Sequence, residues 1–329
     1  MKFKAGDEMA SFSVRTKNEL SKIEIEDSDL ARAELAGIVQ ISAYLNLIDL
    51  KNLNMEIGTE NASTARRVYN LIKHVYSYQA EVEVRKNKNL KKTNRYVIIL
   101  REENIVKTIL DDIGIIEDDK NIIFNINNRI SYEFKENNEL SKAFLRGAFL
   151  GAGSISNPEK MYHLEFITND HDFGKDLLKL LNEFNLNARS IERKEYLIIY
   201  IKEGEKVADL LYIIGANKAF FKIQDIRIIK EMRNNVNRAV NCETANLIKT
   251  VNAAIRQRNS IKFIKDTIGL ERLPENLRET AKLRLENKEM SLIELGNLHR
   301  PKVGKSGVNH RLRKLEEIAD KLKEEQDIQ

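Results

Sequence analysis

The chain has 329 residues, of which 42% are hydrophobic and 32% charged, a composition typical of a globular protein with two or three domains. Apolar runs such as YVIIL and YLIIYI are far shorter than the ~18–20 residues that cross a bilayer, and the N-terminal MKFKAGDEMASFSV has no secretory apolar segment. A single cysteine, Cys242, excludes an internal disulfide and a cysteine-based zinc site, so we expect a cytoplasmic protein without a membrane segment.

Positive charge is concentrated in the last third of the chain. Residues 222–315 carry 21 Lys and Arg against 10 Asp and Glu, whereas residues 1–221 carry 32 against 34. This distribution favours a polyanion as the partner of the C-terminal third, with a solvated basic surface as the alternative.

The first two-thirds of the chain contain an internal repeat. ELAGIVQISAYL from Glu34 matches AFLRGAFLGAGSI from Ala143, and two further pairs of segments follow in the same order in both copies. Apolar periodicity and turn residues predict helix–strand–strand–helix–strand–strand–helix for each copy. Gly37, Gly147 and Gly151 leave room for the two leading helices to pack backbone to backbone. We therefore predict a pseudo-twofold α+β domain with these helices at its seam.

This repeat resembles the LAGLIDADG homing endonucleases. In that family two such helices form the interface, and an acid near the end of each helix holds the divalent metal that cleaves DNA. The resemblance places Ser42 and Ala152 at the acid positions, and neither side chain offers the carboxylate oxygens that Mg²⁺ requires. The nearby acids Asp49, Glu56 and Glu165 fall outside the motif. We therefore expect a nuclease scaffold without catalytic residues.

After Gly215 the pattern becomes entirely helical. Residues 222–241 and 243–269 predict two amphipathic helices, and residues 273–287 a third with Pro274 in its first turn. Ser291 and Glu294 have the spacing of a capping box at the start of the next short helix. The turn RPKVG then leads into a basic helix over residues 305–320, which completes a helix-turn-helix pattern.

The last helix has an apolar stripe of Val308, Leu312, Leu315 and Ala319 at helical spacing. Its other face carries polar and basic residues that we predict to bind double-stranded DNA. Four residues near the helix start, Lys305, Ser306, Asn309 and His310, are the predicted contacts to base edges. The predicted phosphate contacts are Lys302, Arg311, Arg313 and Lys314, although Arg311 could instead cover the core with its stem.

No residues with the spacing of a metal, cofactor or nucleophile site are evident. His299 and His310 come from different elements and lack a third ligand, so we predict no metal there. Cys242 lies at a predicted helix start, where we expect a small buried hydrophobe rather than a nucleophile. We predict neither a catalytic residue nor a cofactor.

The whole chain is similar to the WhiA family of bacterial proteins. The resemblance is carried by IGTENASTARRVYNLIKHVY, FLRGAFLGAGSISNPEKMYHLEF and SLIELGNLHRPKVGKSGVNHRLRKLEEIAD. It implies a degenerate LAGLIDADG scaffold joined to a helix-turn-helix domain that resembles region 4 of sigma factors. It also implies a DNA-binding regulator, linked to sporulation in actinomycetes and to cell division and chromosome segregation in other bacteria. Gly304 stands where the family commonly has Ser, and Ser42-Ala43 stands where a glycine is frequent.

The predicted domains are a first LAGLIDADG-like repeat over 1–120, a second over 121–221, a helical linker or brace over 222–269, and a helix-turn-helix domain over 270–322. The function that we expect is non-enzymatic, sequence-specific DNA binding by a monomer in the cytoplasm, at the nucleoid. One alternative is an adaptor whose residues 1–221 bind a small ligand or a protein such as RNA polymerase, another regulator or a division protein. The other is an active homing endonuclease.

Overall fold

The computed structural model describes residues 10–49, 52–86, 94–117, 125–126 and 128–327. The chain divides into two compact units, residues 1–230 and residues 231–329. Each unit has a hydrophobic core of its own.

The first unit begins with a short helix and then contains the first copy of the repeat. The elements are α1 (Phe12–Leu20), α2 (Ser28–Ser42), β1 (Ala43–Asp49), β2 (Asn52–Thr59), α3 (Ala62–Tyr76), β3 (Glu81–Lys86), β4 (Asn94–Leu100) and α4 (Glu103–Asp112). The four strands form an antiparallel sheet in the order β1-β2-β4-β3.

The second copy follows a two-stranded ribbon and a short helix. The elements are β5 (Ile116–Glu117), β6 (Asn125–Ile126), α5 (Tyr132–Glu136), α6 (Asn138–Ala152), β7 (Gly153–Ile155), β8 (Leu164–Thr168), α7 (His171–Glu183), β9 (Arg189–Arg193), β10 (Tyr196–Ile201) and α8 (Gly204–Ile213). Its sheet order, β7-β8-β10-β9, is that of the first copy with each strand replaced by its equivalent. The predicted repeat and its element order are therefore confirmed.

Matching turn residues explain why both copies fold alike. The hydroxyl of Thr59 accepts a hydrogen bond from the backbone N–H of Asn61 (3.2 Å), and that of Thr168 accepts one from Asp170 (3.0 Å). Asn61 and Asp170 then cap the first turns of α3 and α7. Each strand–turn–helix corner is thus specified locally by the same two side-chain positions.

The seam between the copies is a close contact between the backbones of α2 and α6. A Cβ placed on Gly147 would lie 1.9 Å from the carbonyl oxygen of Glu34, and one on Gly37 would lie 2.2 Å from that of Phe144. Because real Cβ atoms do not approach carbonyl oxygens so closely, only glycine permits this packing. The predicted role of these two glycines is confirmed.

A buried cluster of charges also crosses the seam. Glu34, which is fully buried, accepts hydrogen bonds from Arg67 (2.7 and 3.0 Å) and from Arg146 of the other copy (2.7 Å). Arg67 also donates to the carbonyl of Ile23. Loss of one member of such a cluster costs about 3–5 kcal/mol, because it leaves an unpaired charge in a low-dielectric interior.

The helix α9 (Asn217–Thr267) begins in the first unit and continues into the second. The prediction of two helices, 222–241 and 243–269, is wrong, since this stretch is one helix. No Gly or Pro occurs between Asn217 and Thr267, and ordinary residues such as Asn241 lower helix propensity by only a few tenths of a kcal/mol. Cys242 is exposed on this helix, so the prediction that it is buried is also wrong.

The second unit continues with a 3₁₀ turn and three helices. After the turn Leu270–Arg272 come α10 (Glu275–Glu286), α11 (Leu292–Leu298) and α12 (Lys305–Asp327). Their shared core includes Ile261 and Ile264 of α9, Leu277 and Ala281 of α10, and Leu295 of α11. Arg284 is buried between these elements, where it donates to Gln257 (3.1 Å) and to the carbonyl of Met290 (2.6 Å). Residues of α12 belong to the same core, so α10, α11 and α12 pack together with the end of α9.

Serine substitution at two glycines tests the seam. We expect Gly147→Ser to lower the free energy of unfolding of the first unit by about 3 kcal/mol, because the new Cβ clashes with backbone. The control, Gly304→Ser, adds the same side chain where, apart from Gly304 and its two chain neighbours, no described residue has an atom within 4 Å, and it should change stability by only a few tenths of a kcal/mol. Urea unfolding followed by circular dichroism measures the free energy of unfolding of both variants. Equal free energies in the two variants would contradict the close packing of the backbones at the seam.

Candidate nucleic-acid interface

A capping box fixes the start of α11. The Ser291 hydroxyl accepts a hydrogen bond from the backbone N–H of Glu294 (3.3 Å), and the Glu294 carboxylate accepts one from the backbone N–H of Ser291 (2.7 Å). The bond from the Ser291 N–H holds the pKa of Glu294 below its ordinary value, because it favours the charged carboxylate. The predicted capping box is confirmed.

The six-residue turn between α11 and α12 folds back onto α11. Val303 donates its backbone N–H to the carbonyl of Gly296 (3.0 Å), and a Cβ on Gly296 would lie 2.1 Å from the Val303 carbonyl oxygen. His299 is buried in the same corner, with its ring nitrogens 2.9 Å from Thr280 Oγ1 and from the Leu295 carbonyl. The backbone contact at Gly296 therefore positions the start of α12, and His299 has a structural role.

Burial of one stripe determines which face of α12 is presented to solvent. Val308, Leu312, Leu315 and Ala319 are completely buried against α10 and α11, as the sequence predicts. The first turn of α12 begins with the bond from the Val308 N–H to the carbonyl of Gly304 (3.1 Å). Residues on the opposite side of the helix consequently point away from the core.

Most of the predicted DNA-contacting residues lie on this outward surface. The exposed ones are Lys302, Lys305, Ser306, His310, Arg313 and Lys314, and Asn309 is partly buried at the edge of the face. Arg300, which the sequence analysis did not single out, is exposed in the same turn. Its basic side chain in the turn before α12 was the available signal, because Arg and Lys supply many of the contacts that proteins make to DNA phosphates. The surface joins the turn to the first three turns of α12.

Arg311 is the predicted contact that lies elsewhere. Its side chain turns toward α10, with Nη1 3.5 Å from the carbonyl oxygen of Asn276 and 4.0 Å from a carboxylate oxygen of Glu279. Arg311 is only partly exposed. This placement favours the alternative in which its stem covers the core.

Ser42 and Ala152, the residues predicted to stand at the acid positions, are the last residues of the two seam helices. The Ser42 hydroxyl donates to the carbonyl of Ile38 (2.6 Å), and Ala152 is the last residue of α6. Glu56 pairs with Arg85 (2.8 Å) and Glu165 with His163 (3.0 Å), while the side chain of Asp49 lies outside the described residues. Among the residues described, no group of three His, Cys, Asp or Glu side chains could hold a metal ion.

Comparison with known families matches three consecutive stretches of the chain. Residues 28–116 match the WhiA N-terminal LAGLIDADG-like domain, residues 141–233 the WhiA LAGLIDADG-like domain, and residues 236–319 the WhiA C-terminal HTH domain. The chain is 51% identical over 315 residues to the probable cell division protein WhiA of Clostridium botulinum (strain Hall), covering 95% of this chain and 99% of that protein. The chain belongs to the WhiA family.

Other WhiA proteins match over similar lengths. The probable cell division protein WhiA of Alkaliphilus metalliredigens is 50% identical, with 94% of this chain and 98% of that protein covered. The crystal structure of full-length DUF199/WhiA from Thermatoga maritima is 30% identical, with a TM-score of 0.57 and coverage of 95% and 99%. The predicted fold, a duplicated LAGLIDADG-like scaffold followed by a helix-turn-helix domain, is confirmed. No helix in the described ranges of this WhiA chain is long and apolar enough to span a membrane.

Alanine substitution at two helical glycines tests the packing of the turn in this WhiA chain. Both Gly296→Ala and Gly307→Ala gain about 1 kcal/mol of helix propensity. The Cβ at 296 meets the Val303 backbone, whereas the Cβ at 307 meets only a Val303 methyl group at 2.7 Å, which can move. We therefore expect Gly296→Ala to lower the melting temperature of the second unit and Gly307→Ala to leave it equal or higher. The same melting temperature in both variants would contradict this packing.

Proposed function

We propose that this WhiA chain is a non-enzymatic, sequence-specific DNA-binding protein that regulates transcription. The observation that carries the proposal is the basic and polar surface of the turn and α12, positioned by a buried stripe and a capped α11. A helix-turn-helix places its second helix in the major groove with its N-terminal residues at the base edges.

The residues divide by the contacts that they would make. Lys305, Ser306, Asn309 and His310 occupy the first turns of α12, where side chains reach base edges. Lys302, Arg313 and Lys314, together with Arg300, surround them and would bind phosphates. We leave Arg311 out of this set because its guanidinium is directed at α10.

We further propose a role in cell division and chromosome segregation, with sporulation as the corresponding process in some relatives. Support comes from relatives that share half of their residues with this chain and are named probable cell division proteins. A regulator of this kind would work in the cytoplasm at the nucleoid, and we propose that it acts as a monomer.

An adaptor function of the first unit is a second candidate. Residues 1–221 carry 32 basic and 34 acidic residues, which favours a protein or ligand over DNA as the partner of this scaffold. RNA polymerase, another regulator or a division protein are the partner classes that we consider. A pull-down in which the full chain is compared with the double variant described next would separate the two: an adaptor retains its protein partner in both.

Two substitutions on α12 test DNA reading. We expect Asn309→Ala with Arg313→Ala to abolish discrete peaks of genome-wide occupancy, because the variant loses one base contact worth about 1–3 kcal/mol and one phosphate contact. The control is Lys323→Ala on the same helix, whose ammonium is 2.9 Å from Asp320; its peaks should persist. In binding to the sites found, Lys314→Ala should reduce the slope of log affinity against log salt by about one unit. Unchanged peaks in the double variant would show that another surface reads the DNA.

A cleavage assay tests the proposed loss of nuclease activity. We expect no Mg²⁺-dependent nicking of the DNA sites recovered above, because Ser42 and Ala152 provide no carboxylate at the acid positions. A chain that carries both Ser42→Asp and Ala152→Asp is the matched comparison, since it restores an acid at each position. Cleavage by the wild type that requires Mg²⁺ and stops when EDTA is added would contradict a non-enzymatic function.

A further inference from the structure

The first unit contains a cavity of about 800 Å³ next to one end of the seam. It lies between α1, the corner that joins β2 to α3, the start of β4 at Arg95, and the end of α6 at Gly151 and Ala152. The volume is in the range of pockets that hold small molecules, ~300–1,000 Å³. The residues that line it are separate from the DNA-binding surface proposed above.

Lys17 of α1 lines the cavity, and its ammonium group has hydrogen-bond donors available for a ligand. Its Nζ donates one hydrogen bond, to the carbonyl of Leu150 (3.1 Å), and lies 5.9 Å from the centre of the Phe149 ring. Within the described part of the chain no carboxylate pairs with it, so two of its three N–H donors remain for a ligand. Burial lowers the pKa of Lys17 to about 8, since low-dielectric surroundings disfavour the charge. A bound anion would compensate that cost.

Further donors line the same cavity. The Arg95 guanidinium lies over Gly58, where a Cβ would come within 2.7 Å of Nη2. Ser63, Ser11 and Asn18 contribute hydroxyl and amide groups along the walls, and Glu60 contributes one carboxylate. Two cations, one carboxylate and several neutral hydrogen-bonding groups therefore line one cavity.

The second copy of the repeat provides an internal comparison. Its equivalent corner, at Asn169 and Asp170, lies beside the end of the other seam helix at Ala43 and forms a cavity of only about 170 Å³. Among the described residues, no Lys or Arg lines that cavity, and its helix cap is the carboxylate of Asp170 instead of the amide of Asn61. The large cationic cavity is thus not a consequence of the fold, which produces a small cavity without described cations at the equivalent place.

The chemistry of the walls indicates the class of ligand. None of the described residues that line the cavity is aromatic, so these walls offer no surface for stacking a nucleobase. Hydroxyl, amide and carboxylate groups beside two cations suit a compact polyhydroxylated molecule with one strongly anionic end. We propose that this cavity binds a sugar phosphate, with the phosphate at Lys17 and Arg95 and the sugar hydroxyls along Ser63, Asn18 and Glu60.

Calorimetric titration of the full-length protein tests the proposal. The probes are glucose 6-phosphate, fructose 6-phosphate and ribose 5-phosphate, with inorganic phosphate, glucose and ATP as comparisons. We expect at least one sugar phosphate to bind more tightly than all three comparisons. Lys17→Met should weaken that binding at least tenfold, on the order of one charge-assisted hydrogen bond. Lys22→Met removes the same charge outside the cavity and should keep affinity within about twofold of the wild type.

Folding of the main variant can be verified independently. Below pH 8 the Lys17 charge disfavours the folded state, so Lys17→Met without ligand should melt at a higher temperature than the wild type. The proposal is overturned if no sugar phosphate binds at about 10 mM, or if Lys17→Met binds as well as the wild type. Equal or tighter binding of inorganic phosphate or ATP would overturn the ligand class.

Discussion

The contact between the backbones of α2 and α6 is the constraint on which the first unit depends. Both helices lack a side chain where they meet, at Gly37 and Gly147, so carbonyl groups of one helix lie against the Cα atoms of the other. This proximity brings Arg146 within 2.7 Å of Glu34, across two copies whose sheets have equivalent strand orders. A wider separation would leave the buried carboxylate of Glu34 with only one arginine.

Features that depend on local residues were predictable from the sequence. The repeat, the seam glycines and the capping box of α11 each rest on side chains that act within a few residues or recur at a fixed spacing. The sequence analysis wrongly ended one helix and began another near Cys242. Helix propensity there is nearly neutral, and neither Gly nor Pro ends the helix. Helix α1 was not predicted, and with it the cavity at Lys17 was missed, because the walls come from four separate segments.

The helix-turn-helix shows the same division between local and tertiary information. Helical spacing predicted the buried stripe of α12 and therefore the exposed face of Lys305, Ser306 and His310. The direction of Arg311 was open in the sequence, because a residue at the border of a stripe can turn either way. Its carbonyl and carboxylate neighbours on α10 are far away along the chain, at Asn276 and Glu279.

The ends of the seam helices differ electrostatically from those of a metal-dependent nuclease. Two carboxylates held close together at helix C-termini repel each other and the negative ends of the helix dipoles, and a divalent cation offsets that repulsion. Here the Ser42 hydroxyl donates a hydrogen bond to the backbone of its own helix, and Ala152 carries no charge. At these two positions, therefore, no carboxylate repulsion opposes the approach of α2 and α6, and replacing either residue with Asp would introduce that repulsion.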